Sequence, residues 1–371
     1  MRKKNYAQKN LRSVILNLHQ YTAGKSIGEI AHKYKLHPSK ILKLGSNENV
    51  LGSSLKAKIA ATFALEKVNI YPEVVSTELS NKIKKLHRLK NVEVVVGNGM
   101  DQILEMLGRL FLNNGDETII SVPTFTPYEL STLWAGGKPR LIPLLKNTWQ
   151  MNVEKILKTI NKRTRIIYIC SPNNPTGNLM NEEDIKKIVE STDKIVFLDE
   201  AYAEFAGKSY IKWVEKYPNL IIGRTFSKIY GLAGYRVGYA FINKALISYY
   251  LNSITPFVVS RPGQAAALAA LDDKDFVSKT LKMNSEGKKF YYENLKAAGI
   301  KYLPTNANFI TINTFPIKAK LIGTKLLEKG IITRECTSFG NGGEYFVRIT
   351  IGTKEQNKRV LEALKSLSLR A

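Results

Sequence analysis

Six short apolar runs recur along the 371-residue chain: VEVVVG at 92–97, TIISV at 118–122, RIIYIC at 165–170, IVFLD at 195–199, NLIIG at 219–223 and VGYAFI at 237–242. They are rich in β-branched residues and almost free of polar interruptions. That is how strands covered on both faces of a parallel sheet read, and helical patterns occupy the intervals between them. The pattern predicts a mainly parallel α/β sheet flanked by helices over residues 50–260. After it, FVSKTLKMNSEGKKFYYENLKAAG at 276–299 predicts a helix, NFITINTF, GIITREC and YFVRITIG predict strands, and KEQNKRVLEALKSLSLR closes the chain as a helix. These elements form a smaller α+β domain over 261–371, with the segment 1–49 expected to pack beside it. The length exceeds what one hydrophobic core usually serves, which agrees with two lobes.

Charge changes this picture little. Lys and Arg number 56 against 31 Asp and Glu, a formal net charge of +25. The basic residues are scattered and accompany no nucleic-acid-binding module, so the preferred reading is a solvated basic surface that attracts anionic small molecules, with no nucleic-acid partner. The two cysteines, Cys170 and Cys336, show no metal or redox spacing, which points to a reducing compartment. The basic start MRKKNYAQKNLRSVILNL carries an apolar run too short for a signal peptide or a membrane span. A cytoplasmic protein without a membrane partner is therefore expected.

In open α/β sheets ligands lie beyond the carboxyl ends of the strands, so the residues following each run belong together. NGMD follows the first, and Met100, Ile103, Leu104, Leu107 and Phe111 then keep helical spacing. The backbone N–H groups of Gly99, Met100 and Asp101 thus lie at a helix N-terminus, either a phosphate seat or an ordinary capped helix. SPNNPTG follows the third run, a tight turn carrying Asn174. Asp199 ends a fourth run too apolar for a carboxylate without a partner; a helix cap, a metal shared with Glu200 or a cationic ring nitrogen would each satisfy it. TFSKIYGLAGYR follows the fifth. There Thr225, Ser227 and Arg236 offer donors for a phosphate, and Lys228 offers an amine whose pKa falls when it is desolvated beside other cations. Each feature alone has a bland explanation. One cofactor unites all four, pyridoxal 5′-phosphate, which requires a phosphate seat, an imine-forming lysine, a carboxylate for its ring nitrogen and a donor for its ring hydroxyl.

The same stretches, PNNPTG, LDEAYAEF and RTFSKIYGLAGYRVGY, together with LGSNENVLG and VGNGMDQ, resemble the fold-type I pyridoxal-phosphate aminotransferases, most closely the histidinol-phosphate branch, from about Tyr21 to the last helix. The resemblance implies that Lys228 carries the cofactor, that Asp199 pairs with its ring nitrogen, and that Asn174 and Tyr202 hold its ring hydroxyl. It implies that Phe125 stacks on the ring, and that the backbone at Met100 and Asp101 joins Thr225, Ser227 and Arg236 at the phosphate. Tyr71 matches a tyrosine lent by a neighbouring subunit, which implies a homodimer with shared active sites. Tyr21, Asn47, Arg334 and Arg348 match substrate-side positions. The implied reaction is transamination between histidinol phosphate and 2-oxoglutarate, in histidine biosynthesis. An aromatic or broad-range aminotransferase and a threonine-phosphate decarboxylase are the alternatives on the same scaffold. Val50, Gln102 and Ser171 depart from the pattern, standing where proline, glutamate and asparagine are usual.

Overall fold

The computed structural model describes residues 9–18, 24–340 and 342–367. Strand β1 (Leu42–Lys43) belongs to the N-terminal segment. A seven-stranded sheet follows, built from β2 (Val92–Asn98), β3 (Glu117–Val122), β4 (Lys138–Pro143), β5 (Thr164–Cys170), β6 (Ile195–Asp199), β7 (Leu220–Thr225) and β8 (Val237–Asn243). Its spatial order is β2-β8-β7-β6-β5-β3-β4. Only β8 runs against the others, pairing antiparallel with both β2 and β7. The six apolar runs correspond to six of these strands. The seventh, β4, has the sequence KPRLIP, with a single buried position, Ile142. It sits at the sheet edge, where two prolines and outward charges are tolerated and no continuous apolar run is required.

Alternate side chains of the central strands serve two cores, because successive residues of a strand point to opposite faces. Ile167, Ile169, Val196, Leu198 and Ile222 pack on one face. Ile166, Tyr168, Phe197 and Ile221 pack on the other against Met100, Ile103, Leu104 and Leu107 of the helix Gly99–Phe111.

The C-terminal part forms a four-stranded antiparallel sheet of β9 (Tyr302–Leu303), β10 (Phe309–Asn313), β12 (Arg334–Glu335) and β13 (Phe346–Thr350), in the order β12-β13-β10-β9. The segment GIITREC is split. Its first half, β11 (Ile331–Ile332), leaves this sheet and pairs in parallel with β1, while β12 pairs with β13. Leu44 of the N-terminal segment is buried with Tyr291, Ile310, Val347 and Val360 in one core, and Val50 packs on its edge. The long helix Lys274–Ala297 and the closing helix Lys354–Lys365 cover that sheet, the latter opened by a capping box of Thr353 and Gln356. No helix among the described residues is long and apolar enough to cross a membrane.

One close approach governs how the helix Gly99–Phe111 meets the sheet. A Cβ at Gly238, in β8, would lie 2.5 Å from the Gly99 carbonyl carbon and 2.7 Å from the Met100 nitrogen. Both are backbone atoms and cannot rotate away. Gly238→Ala is therefore expected to push the helix start off the sheet and to destabilise the protein by about 1 to 3 kcal/mol, read as a lower midpoint in urea unfolding at unchanged slope; an unaltered midpoint would contradict this packing.

Candidate active site

A cavity of about 430 Å³ opens beyond the carboxyl ends of β5, β6 and β7. Met100, Asp101, Phe125, Asn174, Asp199, Tyr202, Thr225, Lys228 and Arg236 line it, joined from the other side by Asn47, Arg334 and Arg348. Gly99 and Ser227 stand directly behind this wall. Ser227 donates its backbone N–H to Thr225 Oγ1 at 3.0 Å. Gly99 has φ of +72°, and a Cβ there would lie 2.4 Å from Arg236 Nη2, so the guanidinium rests where a side chain would otherwise be. Tyr71 lies elsewhere, three-quarters exposed and stacked on Phe257 at 4.7 Å. Tyr21 falls outside the described residues.

A family model described as aminotransferase class I and II matches residues 39–364. The chain belongs to this family. A relative from Methanosarcina mazei named histidinol-phosphate aminotransferase is 43% identical over 356 residues, 96% of each chain. A relative of the same name from Methanocaldococcus jannaschii is 37% identical over 366 residues, 97% of this chain and 98% of its own. Among solved structures, the histidinol-phosphate aminotransferase from Clostridium acetobutylicum matches with a TM-score of 0.82 at 26% identity, over 88% of this chain and 99% of that one. That from Sinorhizobium meliloti, in complex with pyridoxal-5′-phosphate, matches in fold with a TM-score of 0.86 at 22% identity, over 97% and 98%. The cofactor of this class I/II aminotransferase is pyridoxal phosphate.

The residues fit that cofactor. Asp199 is only 3% exposed, and its hydrogen-bond donors are neutral: the Tyr128 hydroxyl at 2.7 Å to Oδ2 and the Ala201 N–H at 2.9 Å to Oδ1. Burial raises its pKa to about 6, against the pull of those two donors. A buried carboxylate in this state gains from a cationic N–H, which a protonated pyridine provides. Its neighbour Glu200 points the other way and takes two donors from Arg224, at 2.8 and 3.1 Å. The metal reading of this pair thus finds its two carboxylates on opposite sides of the backbone. At the opposite end of the cavity, Asn98 makes no side-chain cap on the helix Gly99–Phe111. The Asn98 N–H is instead taken by Gln102 Oε1 at 2.6 Å, so the glutamine found in place of glutamate still serves the turn. Arg236 Nη2 donates to the half-exposed Asp101 at 2.9 Å.

The hydrogen bonds also set directions. Arg348 donates to Asn174 Oδ1 and, at 2.7 Å, to the Gly45 carbonyl. With its oxygen engaged, the Asn174 amide turns its NH₂ toward other acceptors. Asn47 donates from Nδ2 to the Tyr202 oxygen at 2.9 Å, which leaves the phenolic proton free to be donated. The Ser171 hydroxyl accepts from the Met180 N–H at 3.1 Å, securing the turn behind Asn174. Sequence reasoning missed Tyr128, whose only signal is its place three residues after Phe125 in PTFTPY. It also missed Ser46 and Gly45, which act through backbone carbonyls.

Lys228 Nζ donates to the Ser46 carbonyl at 3.0 Å. Burial and the nearby Arg348 lower its pKa to about 8. Because the neutral amine is the nucleophile, cofactor capture by the apoprotein is expected to accelerate as pH rises and to level off above a midpoint near 8. Stopped-flow absorbance between pH 6 and 10 checks this; a rate still climbing in proportion to hydroxide at pH 10 would mean an ordinary exposed lysine.

Proposed function

We propose that this aminotransferase moves the amino group of histidinol phosphate to 2-oxoglutarate. The observation that carries the substrate choice is Arg334, buried in the cavity wall beside the Ser338 hydroxyl at 3.2 Å and the Phe339 ring at 5.6 Å, with a second guanidinium, Arg348, opposite it in register on β13. A guanidinium so placed suits a phosphate ester. The name carried by relatives at 37–43% identity supports the same substrate.

In this reading Thr225, Ser227, Arg236 and the N–H groups of Gly99, Met100 and Asp101 hold the cofactor phosphate. Phe125 covers one ring face, Asn174 and Tyr202 donate to the ring hydroxyl, and Asp199 keeps a proton on the ring nitrogen. Pyridoxal phosphate supplies a carbonyl carbon to which amines add and a ring that accepts the electron pair left when a proton departs. Lys228 is the amine that tethers it. Displaced by the substrate amine, Lys228 Nζ would take the proton from the substrate α-carbon and pass it to the cofactor's former carbonyl carbon, so that the amino group stays with the cofactor. Its lowered pKa leaves an appreciable neutral fraction at neutral pH. Arg348, oriented by its bonds to Asn174 and Gly45, faces the carboxylate of the oxo acid, and Arg334 with Asn47 the donor. Tyr21 belongs to this substrate set by sequence match alone.

The test compares kcat/KM for histidinol phosphate, histidinol and phenylalanine in the wild type and in Arg334→Ala. The phosphorylated donor is expected to lead, and the substitution to cost it about 2 to 5 kcal/mol while sparing the others. Should phenylalanine lead in the wild type, the broad aromatic alternative replaces this one.

The division into 1–49, 50–260 and 261–371 belongs to the same proposal, with the segment 1–49 joined to the last part through β1 and β11. So does a homodimer. Leu55, Ile59, Phe63, Val68, Ile70 and Tyr71 are all exposed along one stretch of chain, an apolar surface of the kind that a second subunit covers. Tyr71 would then reach the neighbour's cofactor phosphate. No nucleic-acid partner is proposed, and a cytoplasmic location is. Analytical ultracentrifugation at micromolar concentration is expected to give a dimer; a monomer would remove the shared site.

A further inference from the structure

Tyr128 is fully buried, yet it touches both ends of the cofactor assignment. Its hydroxyl donates to Asp199 Oδ2 at 2.7 Å, and its ring meets Phe125 edge to face at 5.5 Å. Tyr168 stacks on its other side at 5.0 Å and 8°. Its carbonyl accepts from Ser131 and Thr132 at 3.0 and 2.9 Å. A buried tyrosine needs some acceptor for its hydroxyl. Here the acceptor is the one carboxylate assigned to the ring nitrogen.

We propose that Tyr128 is a positioning residue, which acts through Asp199 by aiming its carboxylate and holding it ionised, and which backs Phe125 so that both cofactor contacts move as one unit. The proposal rests on the assignment of Asp199 to the ring nitrogen. A hydrogen bond to a charged group is worth more than one between neutral groups, and Asp199 has little else to keep it ionised. The titratable groups that act on it are Tyr128, Cys170, Glu200, Tyr202 and Lys228. Of these only Lys228 is a cation. Burial pushes the thiol of Cys170 and the phenols of Tyr128 and Tyr202 up, so all three stay neutral through the working range.

The test is the pH dependence of the dissociation constant for pyridoxal phosphate, measured between pH 4.5 and 9 by tyrosine and tryptophan fluorescence on wild type, Tyr128→Phe and Asp199→Asn. In the wild type, binding is expected to weaken as pH falls and Asp199 takes up a proton. In Tyr128→Phe the midpoint of that loss should move up by about one pH unit, a tenfold rise in the carboxylate's proton affinity. In Asp199→Asn the part of that loss centred near pH 6 should vanish, while any part centred near 8, where Lys228 titrates, remains. An unmoved midpoint in Tyr128→Phe, or a loss of affinity equal at every pH, would overturn the positioning role while the Asn variant still upholds Asp199. A loss centred near pH 6 that persists in Asp199→Asn would instead overturn the Asp199 assignment, and the Tyr128 role with it. Should Tyr128→Phe fail to fold, proton NMR of the wild-type apoprotein decides. A slowly exchanging low-field hydroxyl proton that shifts as Asp199 titrates upholds the bond, and its absence overturns it.

Discussion

One buried guanidinium holds the cavity together. Arg348 leaves β13 among the rings of Phe309 and Phe339, with centroids 5.3 and 5.5 Å away, and reaches both Asn174 and the Gly45 carbonyl. It thus joins the C-terminal sheet, the turn after β5 and the N-terminal segment at a single charge. Burying a charge is unfavourable unless its donors are satisfied, so these parts cannot separate without leaving donors stranded. The same charge helps to depress the pKa of Lys228. Architecture and reactivity therefore share one residue: what ties these three segments together also adds to the effect of burial in freeing the amine of its proton.

Two carboxylates at the end of β6 show how the chain keeps a reactive group apart from a structural one. Asp199 and Glu200 are adjacent, and adjacent strand positions face opposite ways. Asp199 looks into the cavity. Glu200 accepts from Arg224, Ser209 and the Tyr210 N–H, and Arg224 also pairs with Glu204 at 3.1 Å. That cluster engages both of its carboxylates with one guanidinium, away from the cavity. Asp199 is left with neutral donors and a raised pKa, which is the state a cationic ring can use.

Much of this was legible in the sequence, and what was not has physical reasons. Strands covered on both faces must be apolar, so six of them stand out, β2 among them although it lies at one edge of the sheet; β4, at the other edge and exposed at four of its six positions, has no such obligation and reads as a proline-rich loop. Strand-end side chains in Asn174, Asp199 and Lys228 are chemically distinctive, and they converge on one cavity. Tyr128 is not distinctive. Its partner is 71 positions away, and only the crossover between β3 and β6 brings them together. Backbone acceptors such as Ser46 and Gly45 carry no residue signature at all. The splitting of GIITREC between β11 and β12 was also hidden, because pairing with two residues of the N-terminal segment leaves no periodic trace. The stretch YFVRITIG alternates apolar and polar residues around Arg348, as a half-exposed strand would, but β13 is buried at all five positions.

The reversed direction of β8 explains the compact spacing of the lysine motif. A strand parallel to β7 would begin at the far edge of the sheet, more than a strand length from the cavity. Running backwards, β8 begins where β7 ends, and Thr225 lies opposite Gly238 in register. Lys228 and Arg236 consequently occupy one closed loop whose two ends are pinned to each other. Such a loop cannot absorb a change of length on one side only. An inserted or deleted residue between them would displace the amine relative to its anion anchor, whereas the surface connections on the opposite edge of the sheet are free to vary. Drift in this molecule should therefore accumulate as length changes in those surface connections and not in this hairpin.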